Sequence, residues 1–118
     1  MADAPVTLFH NPNCGTSRNV LAALTEAGAK PKVVEYLKVG WTIDQLKGLL
    51  AAMKLTPRDI LRVRGTPAEE LGLTDPAATD EAILAAMVAH PILVERPIVV
   101  TPKGVALCRP ADRVQTLL

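Results

Sequence analysis

Short apolar runs alternate with longer amphipathic stretches along the chain, and their order predicts a mixed α/β fold. Residues 6–10 and 32–36 are rich in β-branched and aromatic side chains, which is typical of short strands. Between them, apolar residues recur at helical spacing from about Ser17 to a stop at Gly28. A strand, a crossover helix and a second strand form a unit in which both strands lie parallel.

The middle of the chain predicts three helices in succession. Thr42 begins the first and has a glutamine three positions later, which is the spacing of a capping box. Thr56 begins a shorter helix, with Pro57 at the first helical position, where its missing N–H costs nothing. Thr79 begins the third, whose apolar stripe ends at His90.

The last part of the chain predicts a β-hairpin followed by a short C-terminal helix. Residues 97–101 and 105–108 are apolar runs on either side of a turn that contains Gly104. The complete order is βαβ, a helical insert over about 41–90, ββ and α. This is the order of the thioredoxin/glutaredoxin fold, a four-stranded mixed sheet flanked by helices. It predicts one domain over residues 1–118 with the insert between the second and third strands.

Composition narrows the possible functions. Hydrophobic residues make up 49 % of the 118 residues, and charged residues make up 21 %, so the chain can form a core. Thirteen Lys plus Arg against twelve Asp plus Glu give a net charge of +1, which argues against a general nucleic-acid binder. Aromatic residues are only 3 %, so base-stacking surfaces are not expected and the core should be aliphatic.

The sequence also favours a cytoplasmic location. The first residues have neither the basic nor the apolar region of a signal peptide. The longest apolar run, residues 83–89, is far shorter than the ~20 residues that span a bilayer. Two cysteines are too few for a disulfide-stabilised secreted domain, so we expect both thiols to be reduced.

Cys14 lies between a predicted strand and a predicted helix, a position that activates thiols. Unpaired backbone N–H groups and the helix dipole favour a thiolate there, and such cysteines have pKa values of roughly 3.5–7.5. Gly15 allows the backbone to approach a ligand closely. Thr16 and Ser17 can donate hydroxyl hydrogen bonds, and Arg18 adds a positive charge. Because the same turn would also hold a tetrahedral oxyanion, Cys14 is interpreted as a nucleophile in an anion site.

The sequence around these residues also allows other interpretations. Cys14 could also be a buried structural cysteine, and His10 either tunes its thiolate or is simply a hydrogen-bonded residue at a strand end. Ser17 stands where a thiol oxidoreductase would have its second cysteine, so Cys14 has no local disulfide partner. Cys108 lies in a predicted strand among apolar neighbours, which favours core packing over a role in resolving an oxidised Cys14.

Three arginines stand out among the thirteen cationic residues by their positions next to predicted elements. Arg62 ends a helical turn, Arg96 precedes Pro97 and a strand, and Arg109 follows a strand. In a thioredoxin-like sheet, a cis-proline before the third strand faces the cysteine, so Arg96 would be held beside Cys14. A planar guanidinium binds a tetrahedral oxyanion through two donors, which lysine cannot do. We interpret Arg58, Arg64 and Arg113 as solvated surface charges.

Four segments of the chain together resemble the glutaredoxin-linked arsenate reductases. They are residues 10–19 (HNPNCGTSRN), 60–62 (ILR), 90–100 (HPILVERPIVV) and 107–110 (LCRP). They occur in the family's order over nearly the whole chain, and the first and third are the most specific. The phosphatase-like arsenate reductases use Cys-x5-Arg, whereas the nearest downstream arginine here gives Cys-x3-Arg, which excludes that class.

The resemblance implies a thiol mechanism for arsenate reduction. Cys14 would attack arsenate as a thiolate and form a thiol–arsenate adduct. His10 would help to lower the pKa of Cys14, and Ser17 would hydrogen-bond its thiolate. The arginines that would bind arsenate and stabilise the transition state are Arg62, Arg96 and Arg109. The further positions expected to bind substrate are Asn11, Gly15, Thr16 and Arg18.

The resemblance also implies the partners. Glutathione would be the co-substrate that displaces oxygen from the adduct, and glutaredoxin would reduce the mixed adduct so that arsenite is released. No bound cofactor or metal is needed, and we expect no nucleic acid, no membrane and no second copy of the chain as partner. Two other functions stay open: a glutathione-dependent thiol transferase, and a redox-sensing regulator that binds RNA polymerase. Ser17 removes the Cys-x-x-Cys switch that such a regulator would use.

Overall fold

A four-stranded mixed sheet is the framework for the Cys14 turn. In the computed structural model, which describes residues 6–118, the strands are β1 (Thr7–His10), β2 (Lys32–Glu35), β3 (Ile98–Thr101) and β4 (Gly104–Leu107). Their order in the sheet is β2-β1-β3-β4, with β1 and β2 parallel and the other neighbours antiparallel. The predicted fold class is therefore confirmed, including the parallel βαβ unit and the C-terminal hairpin.

The described residues divide into two compact units. We call the first the sheet unit; it contains the chain up to Val39 together with Arg96–Leu118. The second, which we call the helical unit, is Gly40–Glu95, and it contains the segment 41–90 that the sequence predicts as an insert. Among residues 6–118, no helix is both long enough and apolar enough to cross a bilayer.

Helix α1 (Gly15–Glu26) connects β1 to β2 in the sheet unit. It begins two residues before the predicted start at Ser17, because Cys14 takes the extended backbone conformation of an N-cap residue, with φ −99° and ψ 123°. A short helix, α2 (Tyr36–Val39), follows β2 directly and was not predicted. The C-terminal segment predicted as a helix forms a 3-10 helix, Ala111–Leu117.

Aliphatic side chains form the core of the sheet unit, as the composition predicts. Residues from β1, α1, β3 and the C-terminal 3-10 helix pack around one buried thiol. The buried members of this cluster are Leu8, Val20, Leu24, Val99, Cys108, Val114 and Leu117. The prediction that Cys108 packs in the core is confirmed, since its side chain is fully buried among them.

The helical unit is built from α3 (Ile43–Met53) and α4 (Asp80–Ala89), with 3-10 turns at Pro57–Ile60 and Pro91–Leu93. The Thr42 hydroxyl accepts the N–H of Gln45 at 3.1 Å, so the predicted capping box forms. Both 3-10 turns pack against α4.

Arg58 is exposed, as predicted for a solvated surface charge, and it also makes structural contacts. Its guanidinium donates to three backbone carbonyls across the helical unit, at 3.0–3.2 Å, which are those of Leu73, Asp75 and Ala78. Carbonyls in an irregular segment need donors, and a guanidinium with five N–H groups can serve several of them at once. Arg58 therefore holds the irregular segment before α4 in place.

Candidate active site

The turn between β1 and α1 holds Cys14 at the N-cap position, directly before the first residue of the helix. The carbonyl of buried Asn11 accepts the backbone N–H of Cys14 at 3.0 Å, and its side-chain Oδ1 accepts the N–H of Asn13 at 2.9 Å. The guanidinium of Arg18 donates to the Pro12 carbonyl at 2.9 Å and closes the turn from outside. These bonds fix a half-buried thiol where the helix presents its unpaired N–H groups.

Two of the three predicted arginines meet Cys14. Arg109 lies 95 positions away in sequence, and its Nη1 donates to the Cys14 sulfur at 3.7 Å and to the Arg96 carbonyl at 2.9 Å. The guanidinium of Arg96 also hydrogen-bonds the sulfur. Arg96 precedes Pro97 through a cis peptide bond, as the fold predicts for this position. The structure thus brings Cys14, Arg96 and Arg109 into one cluster.

Arg96 has unused hydrogen-bonding capacity inside this cluster. The residue is only 9 % exposed, and its Nε and Nη1 atoms are buried with no hydrogen-bond partner among the described residues. Buried donors on a cation are costly to leave unpaired, and native proteins almost always pair them. The two orphan donors beside the Cys14 sulfur therefore indicate a place for an anion.

Opposing effects act on the pKa of Cys14. Burial is the largest and favours the neutral thiol, which raises the pKa. Hydrogen bonds from the backbone N–H of Ser17 and from the guanidinium groups of Arg96 and Arg109 favour the thiolate and outweigh burial. The net result is a pKa lowered from 9.0 to about 7, so a large fraction of Cys14 is thiolate at neutral pH.

Ser17 acts through a different atom from the one expected. Its hydroxyl lies 2.6 Å from Nδ1 of His10 and accepts the backbone N–H of Asn11 at 3.1 Å. Because the hydroxyl is engaged on the β1 side of the turn, the bond that Ser17 offers to the Cys14 thiolate comes from its backbone N–H. The sequence could identify the position but not the donor atom.

That His10 helps to lower the pKa of Cys14 stays a prediction, and the pKa of His10 is itself shifted. Burial lowers the pKa of His10, Glu35 raises it and Arg18 lowers it, with a net decrease below the ordinary value. The lowered pKa disfavours the positively charged imidazolium, and Nδ1 of the ring is hydrogen-bonded to the Ser17 hydroxyl. Through this hydrogen bond, His10 stabilises the turn that contains Cys14.

The remaining predicted positions divide between the two units. Gly15 and Thr16 form the first turn of α1, and a Cβ added at Gly15 would meet only Arg18 Nη2, at 3.8 Å, so space there stays open. Arg62 belongs to the helical unit, where its Nη1 donates to Glu95 Oε1 at 2.9 Å. Its contact with a substrate stays a prediction. The sequence analysis gave Glu95 no role, although its position directly before Arg96 could have marked it as a neighbour of the predicted site.

Cys108 has none of the features of a reactive thiol. Burial raises its pKa to about 11, an effect that Arg113 only partly offsets, and its sulfur lies 3.8 Å from the Ala106 carbonyl. It is protonated at neutral pH and has no solvent access. Within residues 6–118, no group of three or more His, Cys, Asp or Glu side chains is arranged to hold a metal ion.

Comparisons with known proteins agree with this geometry. A model of the ArsC family matches residues 9–117, which include the whole cysteine–arginine cluster. The chain is 56 % identical over 118 residues to an arsenate reductase of Synechocystis sp. (100 % of this chain, 82 % of the relative). It is 52 % identical over 113 residues to an arsenate reductase of Rhizobium meliloti (96 % of this chain, 81 % of the relative).

Solved structures give the same result. The structure described as an arsenate reductase from Vibrio cholerae superposes with a TM-score of 0.93 at 36 % identity, covering 99 % of this chain and 100 % of that one. These matches confirm the resemblance found in the sequence and the thioredoxin-like fold. Because the family model and the relatives match nearly the full length of the chain, the chain belongs to the ArsC family.

Proposed function

We propose that this protein reduces arsenate to arsenite with Cys14 as the nucleophile. The observation that carries the proposal is the pairing of a thiol of pKa about 7 with two buried guanidinium donors that have no partner within residues 6–118. A nucleophile for an oxyanion must be negatively charged, and its substrate must be neutralised before the two can approach. Relatives with over 50 % identity are named arsenate reductases, which supports arsenate as the oxyanion.

The first step forms a bond between the Cys14 sulfur and arsenic. The thiolate attacks the arsenic of dihydrogen arsenate, one As–O bond breaks, and with one added proton that oxygen leaves as water. Arg96 and Arg109 would bind the remaining oxygens, because their guanidinium groups already converge on the sulfur. Their positive charge stabilises the negative charge that accumulates on those oxygens in the transition state.

The reductant would come from solution. Ser17 replaces the second cysteine of a Cys-x-x-Cys pair, and its hydroxyl is bonded to His10. Cys108 is buried with a pKa of about 11, which makes it unsuitable as an internal resolving thiol. Glutathione would replace an oxygen of the adduct, and glutaredoxin would complete the reduction of As(V) to As(III), with the thiols oxidised to a disulfide.

Arg62 would be the third arginine to contact the oxyanion. This assignment rests on the family's third arginine, which Arg62 matches within the segment Ile60-Leu61-Arg62. Its side chain is held in the helical unit by Glu95.

The test is a coupled assay of NADPH consumption with arsenate, glutathione, glutaredoxin and glutathione reductase. Arsenate-dependent consumption should fall to background in Cys14→Ser and persist in Cys108→Ala, the matched variant that also removes one thiol. Arsenate turnover retained by Cys14→Ser would overturn the proposal. Consumption that requires a disulfide substrate and ignores arsenate would favour a thiol transferase instead.

A further inference from the structure

The surroundings of Cys14 offer more hydrogen-bond donors than the resting sulfur uses. Nη1 of Arg109 donates to the Cys14 sulfur at 3.7 Å, and the guanidinium of Arg96 also bonds it. Arg96 is only 9 % exposed, yet its Nε and Nη1 have no partner within residues 6–118. Native proteins almost always pair buried donors of this kind. Oxygen atoms bound to the sulfur and carrying negative charge would be acceptors for them.

The Cys14 thiol also has the charge state and the solvent access that an oxidant requires. Hydrogen peroxide reacts with thiolates, and the cysteines that become oxidised are those with a lowered pKa and contact with solvent. The pKa of Cys14 is about 7, and the residue is only half-buried. Cys108 has neither property, since it is fully buried and its pKa is about 11. The two thiols should therefore differ sharply in their reaction with peroxide.

No second thiol is placed to intercept an oxidised Cys14. A sulfenic acid is commonly captured by a nearby thiol, which forms a disulfide and prevents further oxidation. Three positions along the chain, Ser17 has a hydroxyl instead, and Nδ1 of His10 lies 2.6 Å from it. The only other cysteine of the sequence, Cys108, is enclosed among apolar side chains of the core. A sulfenic acid formed at Cys14 would therefore remain available for a second oxidation.

From these observations we infer that Cys14 is a site of oxidative inactivation, at which hydrogen peroxide produces a sulfinate bound by Arg96 and Arg109. In the first step the thiolate sulfur attacks one peroxide oxygen, so that an S–O bond forms and the O–O bond breaks. The other oxygen leaves as hydroxide and takes up a proton to become water. The sulfur loses two electrons, and the peroxide gains them. A second peroxide molecule repeats the step at the sulfur of the sulfenate and gives the sulfinate.

The arginine donors suit the oxidised sulfur better than the thiolate. A sulfinate has two oxygens that share one negative charge, and a guanidinium can donate to several oxygens at once. The Arg96 donors that the thiolate leaves unpaired would thereby gain acceptors. They would also stabilise the negative charge on oxygen as the O–O bond breaks. That this oxidation stops arsenate reduction rests on the proposed function of Cys14 as the nucleophile.

The experiment exposes the wild type, Arg96→Ala and Arg64→Ala to hydrogen peroxide, with Arg64→Ala as an exposed-arginine control. Glutathione is left out, because it would capture the sulfenic acid. Mass spectrometry of the intact chain and of its peptides counts the oxygens added at each cysteine over time, and a thermal melt shows whether each variant is folded. Each rate is divided by the thiolate fraction of Cys14, taken from the pH dependence of alkylation. This division separates a changed pKa from lost stabilisation of the oxygens.

In the wild type, Cys14 should gain two oxygens while Cys108 gains none, and arsenate turnover should fall in parallel without recovery in dithiothreitol. Arg96→Ala should be oxidised about tenfold more slowly per thiolate, the effect of losing one charge-assisted hydrogen bond. Arg64→Ala should match the wild type. Sulfate, an unreactive oxyanion, should slow oxidation of the wild type by occupying the same donors, whereas chloride at equal ionic strength should not.

Two results would overturn the inference: a Cys14 that gains no oxygen where free cysteine is oxidised, or an Arg96→Ala rate per thiolate equal to that of the wild type. If Arg96→Ala does not fold, the sulfate comparison decides, and a wild-type rate that sulfate leaves unchanged would contradict the inference equally. The two proposals can fail separately. Absence of arsenate turnover in the untreated wild type defeats the proposed function, while the oxygens counted at Cys14 still test the oxidation.

Discussion

The two cysteines of this chain belong to the same compact unit, but their pKa values are shifted in opposite directions. Cys14 is half-buried at the start of α1 with a pKa of about 7, and Cys108 is buried in the core with a pKa of about 11. Burial raises the pKa of both thiols. The difference lies in the donors: Cys14 receives hydrogen bonds from the Ser17 N–H and from Arg96 and Arg109.

This contrast shows that hydrogen-bond donors, and not burial alone, decide the direction in which the pKa of each thiol is shifted. Cys108 lies among apolar side chains that cannot stabilise a negative charge. Cys14 lies where a helix start and two distant arginines supply donors to one atom. The low pKa of Cys14 therefore depends on the residues around it, and removing these donors one at a time should raise that pKa.

The largest effect should follow from Arg96→Ala. Loss of a donor to both the thiolate and the developing oxyanion should lower kcat/KM for arsenate by about 10²–10³, as for removal of an oxyanion-hole donor. The pKa of Cys14 should rise towards 9.0, because one of the groups that lowers it is gone. The matched control is Arg64→Ala, an exposed arginine of the helical unit, which should retain wild-type kinetics. Equal losses in both variants would show that general charge, and not this contact, is responsible.

Ser17→Ala separates the hydroxyl from the backbone N–H. The variant leaves His10 and the Asn11 N–H without their common partner, so the free energy of unfolding should fall by about 1–3 kcal/mol. The pKa of Cys14 should stay near 7, since the backbone donor remains. Urea denaturation measures the first effect and the pH dependence of alkylation the second. A pKa displaced towards 9.0 at unchanged stability would mean that the hydroxyl itself bonds the thiolate.

Cys108→Ala tests the other side of the comparison. Removing a buried sulfur leaves a small cavity in the core and should cost about 1 kcal/mol in urea denaturation. The rate of arsenate reduction should not change, because Cys108 is protonated and has no access to solvent. Slow turnover in a stably folded Cys108→Ala variant would assign this thiol a part in the reaction.

The two thiols should also give stability pH dependences of opposite sign. The folded pKa of Cys14 is depressed, so its contribution is present above the unfolded value near 9.0 and is lost as the pH falls through about 7. The folded pKa of Cys108 is raised, so its contribution is present below 9.0 and is lost as the pH rises through about 11. The stability difference between wild type and Cys14→Ser should therefore grow from pH 7 to 9, by a small amount because Cys14 is partly exposed. A difference that shrinks over this range would contradict the assigned shift.

Features set by neighbouring residues could be predicted from the sequence. The Thr42 capping box, the strand at β1 and the hairpin around Gly104 depend on residues within a few positions of each other. Helix α2 was missed because Tyr36 continues a β-branched run, and only the structure shows where that run ends. The 3-10 form of the C-terminal segment was missed in the same way, since its pattern fits either helix.

The details of the site depend on contacts between distant segments. The position of Cys14 at a helix start is a local property and was predicted, but the bond from Arg109 joins residues 95 positions apart. The partners of the Ser17 hydroxyl and the carbonyls that Arg58 binds are likewise fixed by tertiary structure. Residue identity indicated which side chains matter, and the folded chain decided which atom of each is used.

The central claim is that Arg96, Arg109 and the Ser17 N–H hold Cys14 as a thiolate near neutral pH. The direct measurement is the rate of Cys14 alkylation by iodoacetamide as a function of pH, in the wild type and in Arg96→Ala, both with Cys108→Ala as background. The account predicts a midpoint at about pH 7 in the wild type and a higher midpoint in the variant. A wild-type midpoint near 9.0, unchanged by Arg96→Ala, would contradict it.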